Sequence, residues 1–271
     1  MTNKQNGSYV AVSAGMLLAG HISVRAKKIV EEADIVLSLM PHPIAENWLA
    51  SISNKHISLQ SYYGEGKHRK QSYDEMIQRI LDEVKQGKNV CGVFYGHAGV
   101  FAWVPHESVR LARGEGYSAY MEPGISAEAC LYSDLGIDPG SFGIHSYEAS
   151  QFLFYGHQPN VTSYLLLWQV ALAGETTART FKTSRRNLEI FVEYLLQWYP
   201  KEHKIILYEA AFLPLDKVRK DELNLEDLPM AKLNLHTTMV VPPAKKMSIN
   251  KELVEKLGLD ELLMNDKQQQ V

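Results

Sequence analysis

Short apolar runs alternate with segments of helical period through the first half of the chain, and this rhythm constrains the fold more than any other feature. "YVAVSA" at residues 9–14 reads as a buried strand, 21–33 as a helix, "DIVLSLM" at 34–40 as a second strand, 44–52 as a helix and "HISL" at 56–59 as a third strand. A helix over 73–86, a strand at "NVCGVFYG", a helix near 105–114, a strand at "SAYMEP" and a helix opening at Ser126 follow. Strands separated by helices in this way imply an α/β fold, a mostly parallel sheet with helices on both faces. Ligands of such sheets bind outside the carboxyl ends of the strands.

The second half has a different rhythm. Strands are expected at "SYLLLWQV", "HKIILYEA" and "HTTMVVPP", and helix 185–199 carries Leu188, Phe191, Val192, Leu195 and Tyr199 on one stripe that would cover a second sheet. Turn residues cluster in "GIDPGSFGIHS", which places a boundary near Asp138 to Tyr147. The expected organisation is an α/β subdomain over 1–142, a second over 143–246, and a tail over 247–271 with one helical pattern at 251–263.

Three glycine-containing loops follow three of the expected strands: "SAGMLLAGHIS", "YGHAGVFA" at 95–102 and "EPGISAEAC" at 122–130. Each falls where a parallel sheet presents its carboxyl edge, and glycine there lets backbone groups approach a ligand closely. None has the Gly-Lys-Ser/Thr of a phosphate-binding loop, and none is a dinucleotide fingerprint. Taken singly, each reads more readily as a plain strand–helix turn than as a ligand loop.

The one tight basic cluster lies in "YYGEGKHRKQSYDEM", residues 62–76. Ser72 and Glu75 have capping-box spacing, and Met76, Ile77, Ile80, Leu81 and Val84 follow as a buried stripe. The spacing places Tyr73 at the first helical position and Arg69 on the loop before it. On this stretch alone, a solvated basic loop before a surface helix accounts for the residues.

The net charge of −3 gives no broad cationic face for nucleic acid or anionic lipid. Cys91 and Cys130 lie in apolar segments far apart, the pattern of reduced thiols in a cytoplasmic protein. The apolar "YVAVSAGMLLAG" is preceded only by Lys4 and runs into an amphipathic helix, so it reads as a strand and turn and not as a secretion signal. No apolar run approaches the ~20 residues of a membrane span.

The order and chemistry of the three loops resemble the tetrapyrrole-methylase superfamily of S-adenosylmethionine-dependent methyltransferases. "YGHAGVF", "MEPGISAEACLYSDLGIDPG", "SYEASQF" and "LLLWQVALAG" look more specifically like the borosin family of peptide backbone α-N-methyltransferases, as does a tyrosine followed by an arginine six residues on and a tyrosine four further. The resemblance runs from about residue 8 to about 245 and implies two α/β subdomains with the cofactor in the cleft between them. One departure is Ala98, where the family usually has proline in this glycine loop.

What the resemblance implies can be weighed against the chemistry. A peptide nitrogen is a poor nucleophile because its lone pair is delocalised into the carbonyl. Methylating it requires loss of the N–H proton and stabilisation of negative charge on the amide oxygen. A tyrosine phenol, ordinarily near pKa ~10, becomes a usable base beside a guanidinium and a sulfonium. On this resemblance Tyr73 is the base or its partner, Arg69 stabilises phenolate and imidate, Tyr63 orients the amide (Tyr62 being similarly placed in sequence), and Tyr95 faces the methyl group or the amide oxygen. His97, Val100, Ala102, Ser126, Ala127, Gln169, Tyr208, Ala210, Thr237 and Thr238 are the implied residues for S-adenosylmethionine, released as S-adenosylhomocysteine. No Cys, Asp or His stands at ligand spacing from His97, so no metal is expected.

The resemblance also makes residues 60–72 a catalytic lid loop and implies a homodimer in which that lid helps enclose the partner's site. Residues 247–271 contain no run of Val, Ile, Gly or Ala, so the expected substrate is a separate ribosomally made precursor with a leader and an apolar core, in a heterotetramer, methylated iteratively. Nucleic acid and membrane are not expected partners. The alternative enzyme is a tetrapyrrole or corrinoid C-methyltransferase, which needs no Tyr–Arg–Tyr lid.

Overall fold

The computed structural model describes residues 7–64 and 66–259. In the first half, strands β1 (Ser8–Ser13), β2 (Ile35–Leu39), β3 (His56–Ser58), β4 (Asn89–Phe94) and β5 (Ser118–Met121) alternate with helices α1 (Val24–Glu32), α2 (Pro43–Ile52), α3 (Arg69–Lys85) and α4 (Trp103–Gly114). The strand order is β3-β2-β4-β1-β5, and every pairing is parallel. Successive residues of β2 serve opposite faces: Ile35 and Leu37 pack with Met76 and Ile80 of α3, whereas Val36 packs with Val30 of α1 and Leu49 of α2. The central strand β4 is buried from Val90 to Phe94. Its Gly92 is required by packing, because a Cβ there would stand 2.5 Å from the Tyr9 hydroxyl.

The second half contains α5 (Ala127–Leu135), α6 (Pro139–Phe142), β6 (Ile144–Glu148), α7 (Ala149–Phe154), β7 (Tyr164–Trp168), α8 (Arg185–Leu195), β8 (Lys204–Glu209), β9 (Arg219–Asn224), β10 (Thr238–Val241) and α9 (Lys251–Lys256). Its sheet runs β6-β7-β10-β8-β9, with only β6–β7 parallel. One face packs Leu165, Leu167 and Met239 against Phe152, Phe191 and Leu195, and the other packs Leu166, Trp168 and Val240 against Leu131 of α5.

Several expectations need correction. The sheet has two edge strands that apolar patterning does not mark, β6 ("IHSYE") and β9 ("RKDELN"), whose polar, partly exposed side chains suit a sheet edge. Helix α8 stops at Leu195, and Tyr199 is buried from the turn that follows. Helix α9 stops at Lys256: Gly258 takes φ +66° and Leu259 N–H donates to Val254 O at 3.0 Å, closing the helix end. The rest of the expected 251–263 pattern, from 260 onward, lies outside the described residues.

The main correction concerns residues 66–76, the stretch around the expected lid loop. Helix α3 begins at Arg69, not Tyr73, and His68 is its cap, with Nδ1 accepting from Lys70 N–H at 3.2 Å. Ser72 is buried inside the first turn, and Glu75 pairs with Lys67 Nζ at 2.5 Å in place of reaching back to a capping serine. Arg69 is therefore the first helical residue, and Tyr73 sits one turn in. Both cysteines are free. Among the described residues no helix is long and apolar enough to cross a membrane.

Candidate active site

The carboxyl ends of β2 and β4 meet one edge of the second sheet across a cleft of about 1180 Å³, its open mouth included. Because β10 is antiparallel to β7 and β8, its first residue lies beside their last ones, with Thr238 paired to Tyr208. One sheet edge thus presents Trp168, Gln169, Tyr208, Ala210 and Thr238 to the cleft.

Ser13 ties the glycine loops of the first sheet together. Its hydroxyl donates to Glu122 O at 3.1 Å and accepts from Ala98 N–H at 2.9 Å. Gly15 and Gly96 exchange backbone hydrogen bonds of 3.1 and 2.9 Å. Gly124 must lack a side chain, since a Cβ would lie 2.3 Å from that of Ser13. In the second loop His97 Nδ1 accepts from Gly99 N–H at 2.9 Å, and Ala98 is fully buried at the position of the family's usual proline.

Two cleft residues adopt left-handed backbone conformations that side chains disfavour, Phe101 at φ +51° and Gln169 at φ +56°. Phe101 stacks at a tilt on Trp168, ring centroids 5.7 Å apart, which couples the two walls. This aromatic pair escaped the sequence reading although both residues lie in the quoted "YGHAGVF" and "LLLWQV" segments; nothing in a linear pattern shows that they touch. Glu128, Trp103 and His236 also line the cleft and were not anticipated.

Of the residues implied for the cofactor, His97, Val100, Ala102, Ser126, Ala127, Gln169, Tyr208, Ala210 and Thr238 line the cleft. Thr237 does not. It is fully buried, its hydroxyl donating to Glu209 at 2.5 Å and accepting from Asn234 N–H at 2.8 Å. Tyr208 commits its hydroxyl to Asp134 at 2.7 Å, and burial and that contact raise its phenol pKa. Ser126 caps α5, accepting from Ala129 N–H at 3.1 Å, so the positive end of that helix opens on the cleft.

The residues implied for catalysis come from three separate places, the end of the short turn after β3, helix α3, and the end of β4. Tyr63, Tyr73 and Tyr95 all line the cleft, whereas Tyr62 packs on the first core. Tyr63 meets Tyr73 edge to face at 6.3 Å. Burial raises the Tyr63 phenol pKa, with Tyr73 next among the causes and Arg69 opposing. Tyr95 keeps 43% of its surface accessible but stands inside the concave cleft, and desolvation there, then Tyr73, raises its phenol as well. Both phenols are thus favoured in the protonated form, which can donate a hydrogen bond. Arg69 is not among the cleft-wall residues. It stands behind them, with Nη2 3.5 Å from Glu175 Oε2. Among the described residues no group of three His, Cys, Asp or Glu is placed to hold a metal ion.

The model of the tetrapyrrole (corrin/porphyrin) methylases matches residues 9–226. The chain is 35% identical over 262 residues to the methyltransferase/gymnopeptides precursor of Gymnopus fusipes, covering 95% of this chain and 62% of that protein. It is 32% identical to the methyltransferase/type I borosin cyclic peptide precursor of Coprinopsis marcescibilis, covering 95% of this chain and 68% of that one. Among solved structures, a cobalt precorrin-4 methyltransferase superposes with a TM-score of 0.62 at 15% identity, covering 89% of this chain and 97% of its own. A uroporphyrin-III C-methyltransferase of Thermus thermophilus, complexed with S-adenosyl homocysteine, does so with a TM-score of 0.60 at 15% identity, covering 87% and 97%. This chain therefore belongs to the tetrapyrrole methylase family, and within that family its relatives include the borosin-type methyltransferases.

Proposed function

We propose that the protein methylates backbone amide nitrogens of a ribosomally made peptide, with S-adenosylmethionine as methyl donor. The observation that carries the reading is the convergence of Tyr63, Tyr73 and Tyr95 on one cleft, with the cation of Arg69 close enough to bear on Tyr63. Methyl transfer to a tetrapyrrole carbon has no need of that group. The names of the fungal relatives, each a methyltransferase joined to a cyclic-peptide precursor, support the substrate class.

The cleft fits the donor. It is walled largely by apolar and aromatic side chains, with His97, Ser126, Gln169 and Thr238 among its polar groups, and Gly96 at φ +65° turns the second loop along its wall. Backbone groups at 96–102, the start of α5 and the edge residues Gln169, Ala210 and Thr238 would hold it. Bound there, S-adenosylmethionine supplies an electrophilic methyl group on a sulfonium.

The chain's own residues do the rest. The Tyr63 and Tyr95 hydroxyls donate to the substrate amide oxygen and draw charge onto it as the nitrogen loses its proton. Tyr73, as the phenolate, accepts that proton and becomes a neutral phenol, so the negative charge passes to the amide oxygen before the nitrogen takes the methyl group. Arg69 stabilises the resulting negative charge, and the apolar walls exclude water. The peptide is a separate chain, held by a homodimer of this protein.

The test supplies purified protein and S-adenosylmethionine with the portion of the Gymnopus precursor that this chain does not cover, and with a uroporphyrinogen. Gain of CH₂ units on the peptide, placed on backbone nitrogen by fragmentation, is expected. Methylation of the tetrapyrrole alone would overturn the reading. CH₂ gain on residues 247–271 would overturn the separate substrate.

A further inference from the structure

We propose that Glu175 is a positioning residue for the lid: its carboxylate holds the Arg69 guanidinium beside Tyr63, and its loop fastens the start of α3 across the cleft. The proposal deepens the reading above, in which Arg69 is the cation of amide methylation.

Glu175 belongs to the loop between β7 and α8, more than a hundred residues from Arg69. Its side chain is only 7% exposed, and its own loop fixes its orientation. Oε1 accepts from Thr177 N–H at 2.7 Å and from Thr177 Oγ1 at 2.5 Å, and Oε2 accepts from Ala178 N–H at 3.1 Å. Oε2 then stands 3.5 Å from Arg69 Nη2. Burial opposes ionisation of this carboxyl, but the Thr177 and Ala178 hydrogen bonds and the charge of Arg69 outweigh it and lower its pKa. The contact to Arg69 is long and uses one guanidinium nitrogen, so the ion pair aims the group without occupying its other N–H donors.

A second contact joins the same two segments. Arg69 N–H, one of the first-turn donors that a helix leaves without an internal partner, donates to Ala178 O at 3.0 Å. Ala178 holds φ +53°, a conformation that an alanine adopts only when its surroundings impose it. A third contact comes from Phe181, whose ring meets Tyr63 edge-on at 6.4 Å. The loop thus touches the cation, the first residue of the lid helix and one of the cleft tyrosines. Every neighbour of the Glu175 carboxylate is a donor, so an acceptor-only group is required. Glutamine would turn an NH₂ toward one of those donors.

The experiment compares wild type, Glu175→Gln and Glu175→Asp, and Glu175→Gln combined with Arg69→Lys. It measures kcat and KM on the Gymnopus precursor portion, S-adenosylhomocysteine affinity, and amide hydrogen exchange of residues 66–73. Glu175→Gln is expected to lower kcat about tenfold or more while changing cofactor affinity less than about threefold, because the loss is one of orientation. Glu175→Asp should recover most of that loss, and residues 66–73 should exchange faster in Glu175→Gln while β4 does not. On the Arg69→Lys background the added cost should shrink to within about threefold, since the effect passes through the guanidinium. An unchanged kcat, or a full additive loss on that background, overturns the positioning role. A wild-type protein inactive on peptide would overturn the proposed function instead, and exchange alone would then decide the fastening: unaltered exchange at 66–73 would refute it.

Discussion

The two sheets divide the work of the cleft unequally. The first is parallel throughout, with its strand ends and glycine loops on one edge, and it carries Tyr63, Tyr73 and Tyr95. The second is largely antiparallel, and it brings to the cleft the ends of β7 and β8 and the start of β10, while its loop after β7 reaches Arg69 through Glu175. A parallel edge gathers loops that can each vary, which suits reactive groups. An antiparallel edge offers alternating strand ends in a firm register, which suits a binding wall and an abutment. On the proposed reading, chemistry belongs to the first sheet, and holding belongs to the second.

The sharpest test of that division is whether the halves hold together as one unit. Phe191→Ala removes a fully buried ring from the second core and should cost about 3–5 kcal/mol. Leu37→Ala does the same for the first core at about 2–5 kcal/mol. Urea unfolding followed through Trp103 in the first half and Trp168 and Trp198 in the second should remain a single coincident transition in both variants. A Phe191→Ala protein whose second half melts first would break the comparison into two independent domains.

The next effect is catalytic. Tyr73→Phe and Arg69→Ala should each lower methyl transfer by about 10²–10³-fold, the scale of losing one donor to a developing charge. Tyr208→Phe on the second sheet loses only a hydroxyl already committed to Asp134 and should cost less than about tenfold. Equal losses in rate measurements would erase the distinction between reactive and holding sheets. Smaller again is Gly124→Ala, which drives a methyl group into Ser13 and should destabilise by about 1–3 kcal/mol by thermal unfolding. It should also weaken cofactor binding, because Ser13 joins the loops that follow β4 and β5.

The first sheet was legible because burial on both faces writes β2 and β4 as apolar runs and each crossover as a helical period. β6 and β9 were not, because an edge strand needs only backbone partners, and "RKDELN" carries no apolar signature. The lid was half legible. Its residues were marked by spacing, but the capping-box reading of Ser72 and Glu75 placed the helix start near Tyr73. A contact remote in sequence, Arg69 N–H to Ala178 O, and a local one, Lys67 to Glu75, accompany a helix that starts a turn earlier. Nine of the ten residues implied for the cofactor face the cleft because they sit at strand ends and turns; Thr237 is turned inward by Glu209, a pairing that "YEA" and "HTT" do not reveal.

The smallest predicted effect separates the sheets by acid. Each has a largely buried carboxylate beside its strand ends. Glu46 accepts from Ser38, from Ser58 Oγ at 2.9 Å and from Met40 N–H at 3.2 Å, beside His56 Nε2 at 3.0 Å. Glu209 accepts from Thr237 at 2.5 Å, from Asn234 at 3.0 Å and from Arg219 Nη1 at 2.7 Å, beside His236 Nε2 at 3.1 Å. In both, burial alone would raise the pKa, and the hydrogen bonds outweigh it to leave the value below 4.5. A carboxyl depressed on folding stabilises the protein fully above its unfolded pKa, and that contribution fades as pH falls through the folded value. Unfolding midpoints in urea should therefore drop below about pH 4.5, and Glu46→Gln and Glu209→Gln should each flatten that slope. At neutral pH the two variants should differ. Glu46→Gln leaves the Ser38 and Ser58 hydroxyls and the Met40 N–H, which an amide can still meet. Glu209→Gln strips a charge from Arg219, whose side chain is 19% exposed and whose remaining carboxylate, Asp221, is largely in solvent. The second sheet should therefore lose more stability than the first at neutral pH, and the opposite order would show that its edge is not held by that ion pair.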